Sequence, residues 1–212
     1  MLAVADIAGL DRCVAIDLET TGHPAKTHAE VLKLPKGLRL PGCVIQIGCI
    51  ELLRDGDSWK TGATWETLVN PEGSVHPAAA KVHGIHPNAI KAAPRFVEVY
   101  PALAAFLGSV PLLAHAAWNE IDYLNFEMRR AKLVGWDETP FWDDRFLDTQ
   151  IIARGIFPGA PGSLDVLLDR LWIDRSGRDQ HHGALLDAEL TAEAFIKMTN
   201  GFVQDEIRTL SP

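Results

Sequence analysis

At 212 residues, 47% of them hydrophobic, the chain has the material for one compact domain with at most a short tail. Its net charge of −8 excludes the broad basic face of a general duplex binder. It does not exclude an enzyme that grips a strand end, where bound cations offset local carboxylates. Cys13, Cys43 and Cys49 are odd in number and lie in or beside apolar runs, so they read as buried thiols, not as a disulfide framework or zinc site. Met1 to Arg12 lacks the basic-then-apolar order of a signal peptide, which makes the cytoplasm the expected compartment.

In chain order, Arg12 to Leu18 alternates: Val14, Ile16 and Leu18 share one face, and Cys13, Ala15 and Asp17 the other. That is a strand, and Glu19 continues the second face. Cys43 to Leu53 is apolar on both faces apart from Gln46 and Glu51, as for a strand covered on both sides. A third strand is expected from Ser58 to Val69. Short helices follow Pro77 and Pro87, and another spans Pro94 to Leu107, each with Pro near its start. Val99 to Trp118 carries no Asp, Glu, Lys or Arg, but Pro101, Gly108, Pro111 and His115 interrupt it, so it reads as a helix and a buried strand, not a membrane span. The fourth strand is Val110 to Ala114, followed by a helix from Glu120 to Lys132. Asp148 to Arg154 and Ser163 to Trp172 read as helices capped by Asp and Ser. A long helix runs from Ala184 to Thr199 and stops at Gly201. Three strands before any alternation argue for a mixed α/β sheet that opens with an antiparallel meander. Residues 1–201 form the domain and 202–212 a short tail.

Asp17 and Glu19, two apart on a strand, project from one face ~6.5 Å apart and can flank hard cations, which prefer oxygen ligands. The following Thr20-Thr21-Gly22 allows a tight turn. His182 sits at the entry of the last helix and Asp187 about one turn in; five helical residues rise ~7.5 Å, so the imidazole can reach past the carboxylate to a water. Neutral histidine suits that water's proton. In His115-Ala-Ala-Trp-Asn-Glu-Ile-Asp, either Glu120 or Asp122 can supply a fourth acid. Ile121, Leu124, Met128 and Ala131 form an apolar stripe; Glu120 flanks it and Asp122 points away, which favours Glu120.

Asp17-Leu-Glu-Thr-Thr-Gly22 and His182-Gly-Ala-Leu-Leu-Asp-Ala188 resemble the first and last motifs of the DEDDh 3′→5′ exonucleases, most of all the proofreading epsilon subunits of bacterial DNA polymerase III. Val82-His-Gly-Ile85, Phe157-Pro-Gly159 and Ser163-Leu-Asp165 extend the likeness over most of the chain. The resemblance implies a ribonuclease H-like five-stranded mixed sheet flanked by helices, and release of nucleoside 5′-monophosphates with two Mg²⁺ or Mn²⁺ ions. It implies Asp17, Glu19, Glu120 and Asp187 as metal ligands and His182 as general base. Thr20, Thr21, Gly22 and His83 would contact a single-stranded DNA 3′ end, with RNA as the alternative substrate. A polymerase or a sliding clamp is the partner such a protein would have, and no membrane is involved. The middle motif departs from the family, which usually has Asn after the first His and Phe-Asp at the end; here Ala116, Asn119 and Glu120 stand at those places.

The stretch from His23 to Pro41 is longer than expected between two such strands and carries a net charge of +3. Lys26, Lys33, Lys36 and Arg39, tethered directly behind Asp17 and Glu19, are candidates to clamp phosphates of the incoming strand.

Overall fold

A computed structural model describes residues 7, 9–22 and 42–200. Strands β1 (Arg12–Thr20), β2 (Val44–Asp55) and β3 (Ser58–Leu68) come first. Helices α1 (Pro77–His83), α2 (Pro87–Ala92) and α3 (Phe96–Leu107) follow, then β4 (Leu112–Ala114), α4 (Trp118–Arg130) and β5 (Phe146–Asp148). The chain closes on α5 (Thr149–Ile156), α6 (Leu164–Arg170) and α7 (Ala184–Thr199). The sheet order is β3-β2-β1-β4-β5, antiparallel across the first three strands and parallel from β1 to β4 to β5. This is the mixed five-stranded sheet flanked by helices that the sequence implied.

The period-two alternation of β1 divides the interior into two cores. Cys13 and Ala15 join Ile50, Leu52, Leu113 and Leu147 beneath α5, α6 and α7. Val14, Ile16 and Leu18 join Val44, Ile47, Cys49, Leu112 and Phe146 beneath α3 and α4. Asp17 and Glu19 continue the first set, so they leave the sheet on the side of α7. Because β1, β4 and β5 are parallel, their carboxyl ends share one edge, where open α/β sheets gather functional groups.

Two sequence expectations need correction. The fifth strand lies at Phe146–Asp148, just ahead of the expected helix; three residues are too few to display a period. The helix expected from Glu120 starts at Trp118 and ends at Arg130. It starts early because the Asp148 carboxylate accepts the N–H groups of Ala116 (3.0 Å) and Ala117 (3.1 Å), doing a cap's work from β5. Residues 99–118 divide into α3 and β4, and among the described residues no helix is long and apolar enough to cross a membrane. Cys13, Cys43 and Cys49 are buried, and no disulfide joins them among the described residues.

Candidate active site at the carboxyl edge of the sheet

The last turn of β1 is held by its own polar groups. The Thr20 hydroxyl donates to the Gly22 carbonyl (3.1 Å), and the Thr21 hydroxyl accepts the Cys43 N–H (2.8 Å). Tyr123 of α4 also donates to the Gly22 carbonyl. Both threonine side chains expected to meet substrate therefore make these bonds inside the turn, and Thr21 is buried.

Helix α7 meets this strand end at unusually short range. Asp17 stands opposite Gly48 in the β1–β2 register, and a Cβ on Gly48 would lie 2.1 Å from the Leu185 nitrogen. Only a bare backbone lets the amino end of α7 come so near. Gly183 offers no side-chain cap, so Gln46 of β2 accepts the Ala184 N–H (3.1 Å) in its place. The preceding segment is pinned where the His182 N–H bonds the Val82 carbonyl (3.0 Å). Gly84, at φ 64°, has His181 packed so closely that any side chain there would collide with the ring.

The result is a cluster. Ligand atoms of Glu19, His182 and Asp187 lie within 4.8 Å of one another. His182 Nδ1 is 3.5 Å from Asp187 Oδ2. Asp17 is not in that trio, but Asp187, Glu120 and Glu19 all act on it. Burial and those three neighbouring charges raise its carboxyl well above the usual range. Glu19 is pushed up to about 7, by burial first and Asp187 second. Glu120, from the first turn of α4, is pushed up to about 8 by burial, and its Oε2 is buried without a hydrogen-bond partner. Asp187 is also raised, by burial, against the opposing pull of Arg178. Four acids that resist ionisation together, one with an orphaned oxygen, are a donor set that could hold hard divalent cations. His182 is lowered, mainly by burial and then by Arg178, which keeps it neutral and able to accept a proton.

Asp122 is only half-buried, as the helical argument expected, whereas Glu120 is buried beside Asp17. His83 is buried at the end of α1; its Nδ1 accepts the Ile85 N–H (3.0 Å), and its Nε2 has no partner. Lys26, Lys33, Lys36 and Arg39, and the tail, lie outside the described residues. Sequence reasoning missed Arg178, whose Nε is 2.8 Å from Asp187 Oδ1. It read Asp148 as a cap only. Asp148 accepts the Gln150 N–H (2.8 Å) in that role and also holds the turn that carries Glu120.

A family model described as "Exonuclease" matches residues 14–195. The chain is 34% identical over 193 residues to DNA polymerase III subunit epsilon of Haemophilus influenzae, covering 90% of this chain and 68% of that protein. It is 32% identical over 193 residues to the same subunit of Escherichia coli, covering 91% and 73%. Among solved structures it is similar to the nuclease domain of 3′hExo, a DEDDh family member bound to rAMP, with TM-score 0.66, 18% identity and coverage of 93% and 94%. It is also similar to Exonuclease X in complex with 5′ overhanging duplex DNA, with TM-score 0.61, 22% identity and coverage of 89% and 91%.

Proposed function

Since the chain belongs to this exonuclease family, we propose that it is a 3′→5′ exonuclease that hydrolyses the terminal phosphodiester of DNA and releases nucleoside 5′-monophosphates. The observation that carries the reading is the convergence of Glu19, His182 and Asp187 within 4.8 Å beside Asp17 and Glu120. Asp17, Glu19, Glu120 and Asp187 would hold two divalent cations, Mg²⁺ or Mn²⁺. When bound, such ions activate a water and stabilise the departing 3′-oxygen. His182 is the general base: neutral, partly exposed, and backed by Asp187, it takes the proton of the attacking water and shares the resulting charge with that carboxylate. Tyr123 and the two threonines keep the strand end rigid while the terminal nucleotide is held. His83 is proposed to help position the substrate from the end of α1, where its Nδ1 is held as the acceptor of the Ile85 N–H.

The substrate is a single-stranded 3′ end, and a DNA polymerase is the partner that the epsilon relatives indicate by name. We assign residues 1–201 to the nuclease domain and the protein to the cytoplasm. Lys26, Lys33, Lys36 and Arg39 are proposed to grip phosphates; neutralising them raises KM and flattens the salt dependence. The deciding experiment is product analysis on 5′-labelled single-stranded DNA, with an RNA oligonucleotide of the same sequence beside it. Wild type should yield a one-nucleotide ladder with Mg²⁺ or Mn²⁺ that His182→Ala loses. Binding without release of mononucleotide would leave a strand-end-binding module instead. Faster trimming of the RNA would move the substrate class.

A further inference from the structure

Ser163-Leu-Asp165 stood out in the sequence without acquiring a role, and Arg178 did not stand out at all. In the fold they belong to one chain of contacts. The Arg178 guanidinium reaches Asp187 Oδ1 through Nε at 2.8 Å and Asp165 Oδ1 through Nη1. Its side chain is 12% exposed, Asp187's 5% and Asp165's 43%. Asp165 sits in the first turn of α6, placed there by the Ser163 cap, and Asp187 sits in the first turn of α7. The arginine therefore bridges two helix starts, and the carboxylate it grips on the buried side is the one facing His182 through its other oxygen.

We infer that Arg178, oriented by Asp165, is a positioning residue for Asp187. It fixes which oxygen of that carboxylate faces His182, at the cost of placing a permanent positive charge beside a residue that would hold a cation. This rests on the proposed metal role of Asp187. Two effects follow, and they have opposite signs. The Nε–H bond to Oδ1, with Nη1 anchored on Asp165, orients Asp187, which favours turnover. The charge would repel a divalent ion held by Asp187, which weakens its binding. A mere staple between α6 and α7 predicts neither: its loss loosens the site, so metal affinity and turnover fall together.

The experiment is Mn²⁺ titration of the full chain by calorimetry or electron paramagnetic resonance, paired with turnover of 5′-labelled single-stranded DNA at saturating Mn²⁺. Arg178→Gln should bind Mn²⁺ about tenfold more tightly and turn over about tenfold more slowly, since it loses both the charge and the anchored Nε–H bond. Arg178→Lys keeps the charge, so its Mn²⁺ affinity should stay near wild type while turnover still falls. Asp165→Asn should slow turnover less than Arg178→Gln and add nothing in the double variant. Weaker or unchanged Mn²⁺ binding in Arg178→Gln overturns the inference. Should that variant not fold, wild-type turnover in Arg178→Lys overturns it. Asp187→Asn is the control: if it leaves Mn²⁺ affinity unchanged, the metal role of Asp187 fails and this inference with it. If it weakens binding while the Arg178 variants behave as wild type, only the positioning role fails.

Discussion

Gly48 faces Asp17 across the β1–β2 pair, and the missing side chain of the one lets α7 carry Asp187 to the other. A methyl at position 48 would meet the backbone at Leu185, 2.1 Å from its nitrogen, and backbone in the first turn of a helix cannot rotate aside as a side chain can. Gly48→Ala should therefore cost about 1–3 kcal/mol of stability through overpacking and move Asp187 away from Glu19. A displacement near 1 Å lowers catalysis by about a hundredfold. Thermal melts and kcat/KM check both, and a variant with wild-type activity would show that α7 does not need this approach.

The carboxylate cluster fixes how stability depends on pH when divalent ions are chelated. Glu19 is pushed up to about 7 and Glu120 to about 8, against unfolded values near 4.3. Acids raised in the folded state stabilise it fully below the unfolded value, and that contribution is lost as pH rises through the folded one. His83, His115 and His182 are lowered, so their contribution runs the other way: it is present above about 6.5 and lost as pH falls below it. In EDTA, Tm should thus decline from about pH 6.5, where the histidine contribution is complete, toward about pH 8. Saturating Mg²⁺ should flatten that decline, because it binds the ionised carboxylates. A rising Tm over the same interval in EDTA would mean that the acids do not crowd one another.

Residues whose placement follows from local periodicity were legible. The alternation from Cys13 to Glu19 put both acids on one face, and the apolar spacing after His182 gave α7 to within a residue at each end. Helical phase also separated Glu120 from Asp122, since one flanks the buried stripe and the other does not. Residues whose role exists only across the fold were not legible. Gly48 looks like any glycine in an apolar strand until a helix is laid on it. Arg178 lies 9 residues from Asp187 and 13 from Asp165, and no helical or strand period links those spacings. The strand at Phe146–Asp148 is recognisable only by its ladder with β4. The Thr20 and Thr21 hydroxyls looked available in the sequence, whereas the turn they follow uses both.

Ala116 is held at φ 60°, a left-handed conformation that an alanine adopts only under constraint. The constraint is Asp148, which accepts the N–H of Ala116 and that of the next residue. Asparagine tolerates this conformation better than alanine, and it is the residue that the exonuclease motif usually has at this place. Ala116→Asn should therefore stabilise the protein by about 1 kcal/mol, a rise of roughly 2–4 °C in Tm. Ala116→Gly should also relieve the strain but recover less, because glycine loses more backbone freedom on folding. Asp148→Ala removes the acceptor of three N–H groups and should lower Tm by much more, with loss of activity through Glu120. If Ala116→Asn lowered Tm, the turn would not be strained as its backbone angles indicate.

Glu120 gives the sharpest separation between a structural acid and one kept for cations. Its carboxylate is buried, raised to about 8 chiefly by that burial, and leaves Oε2 without a partner. A structural carboxylate in such a place would hold a cation of its own, as Glu127 holds Arg130 at 2.7 Å. Removing the charge of Glu120 while keeping its shape should then help the fold and harm the reaction. Glu120→Gln should melt higher than wild type in EDTA at pH 8, where wild type must keep a partly ionised acid in the interior. Mn²⁺ should raise its Tm less than that of wild type, and kcat should fall by about a hundredfold or more through the loss of a proposed metal ligand. Glu120→Asp shortens the side chain by one methylene to the acid usual in the family, so it should keep a wild-type response to Mn²⁺. A Glu120→Gln protein with lower Tm in EDTA and full activity would make Glu120 a structural group and leave the second cation without this ligand.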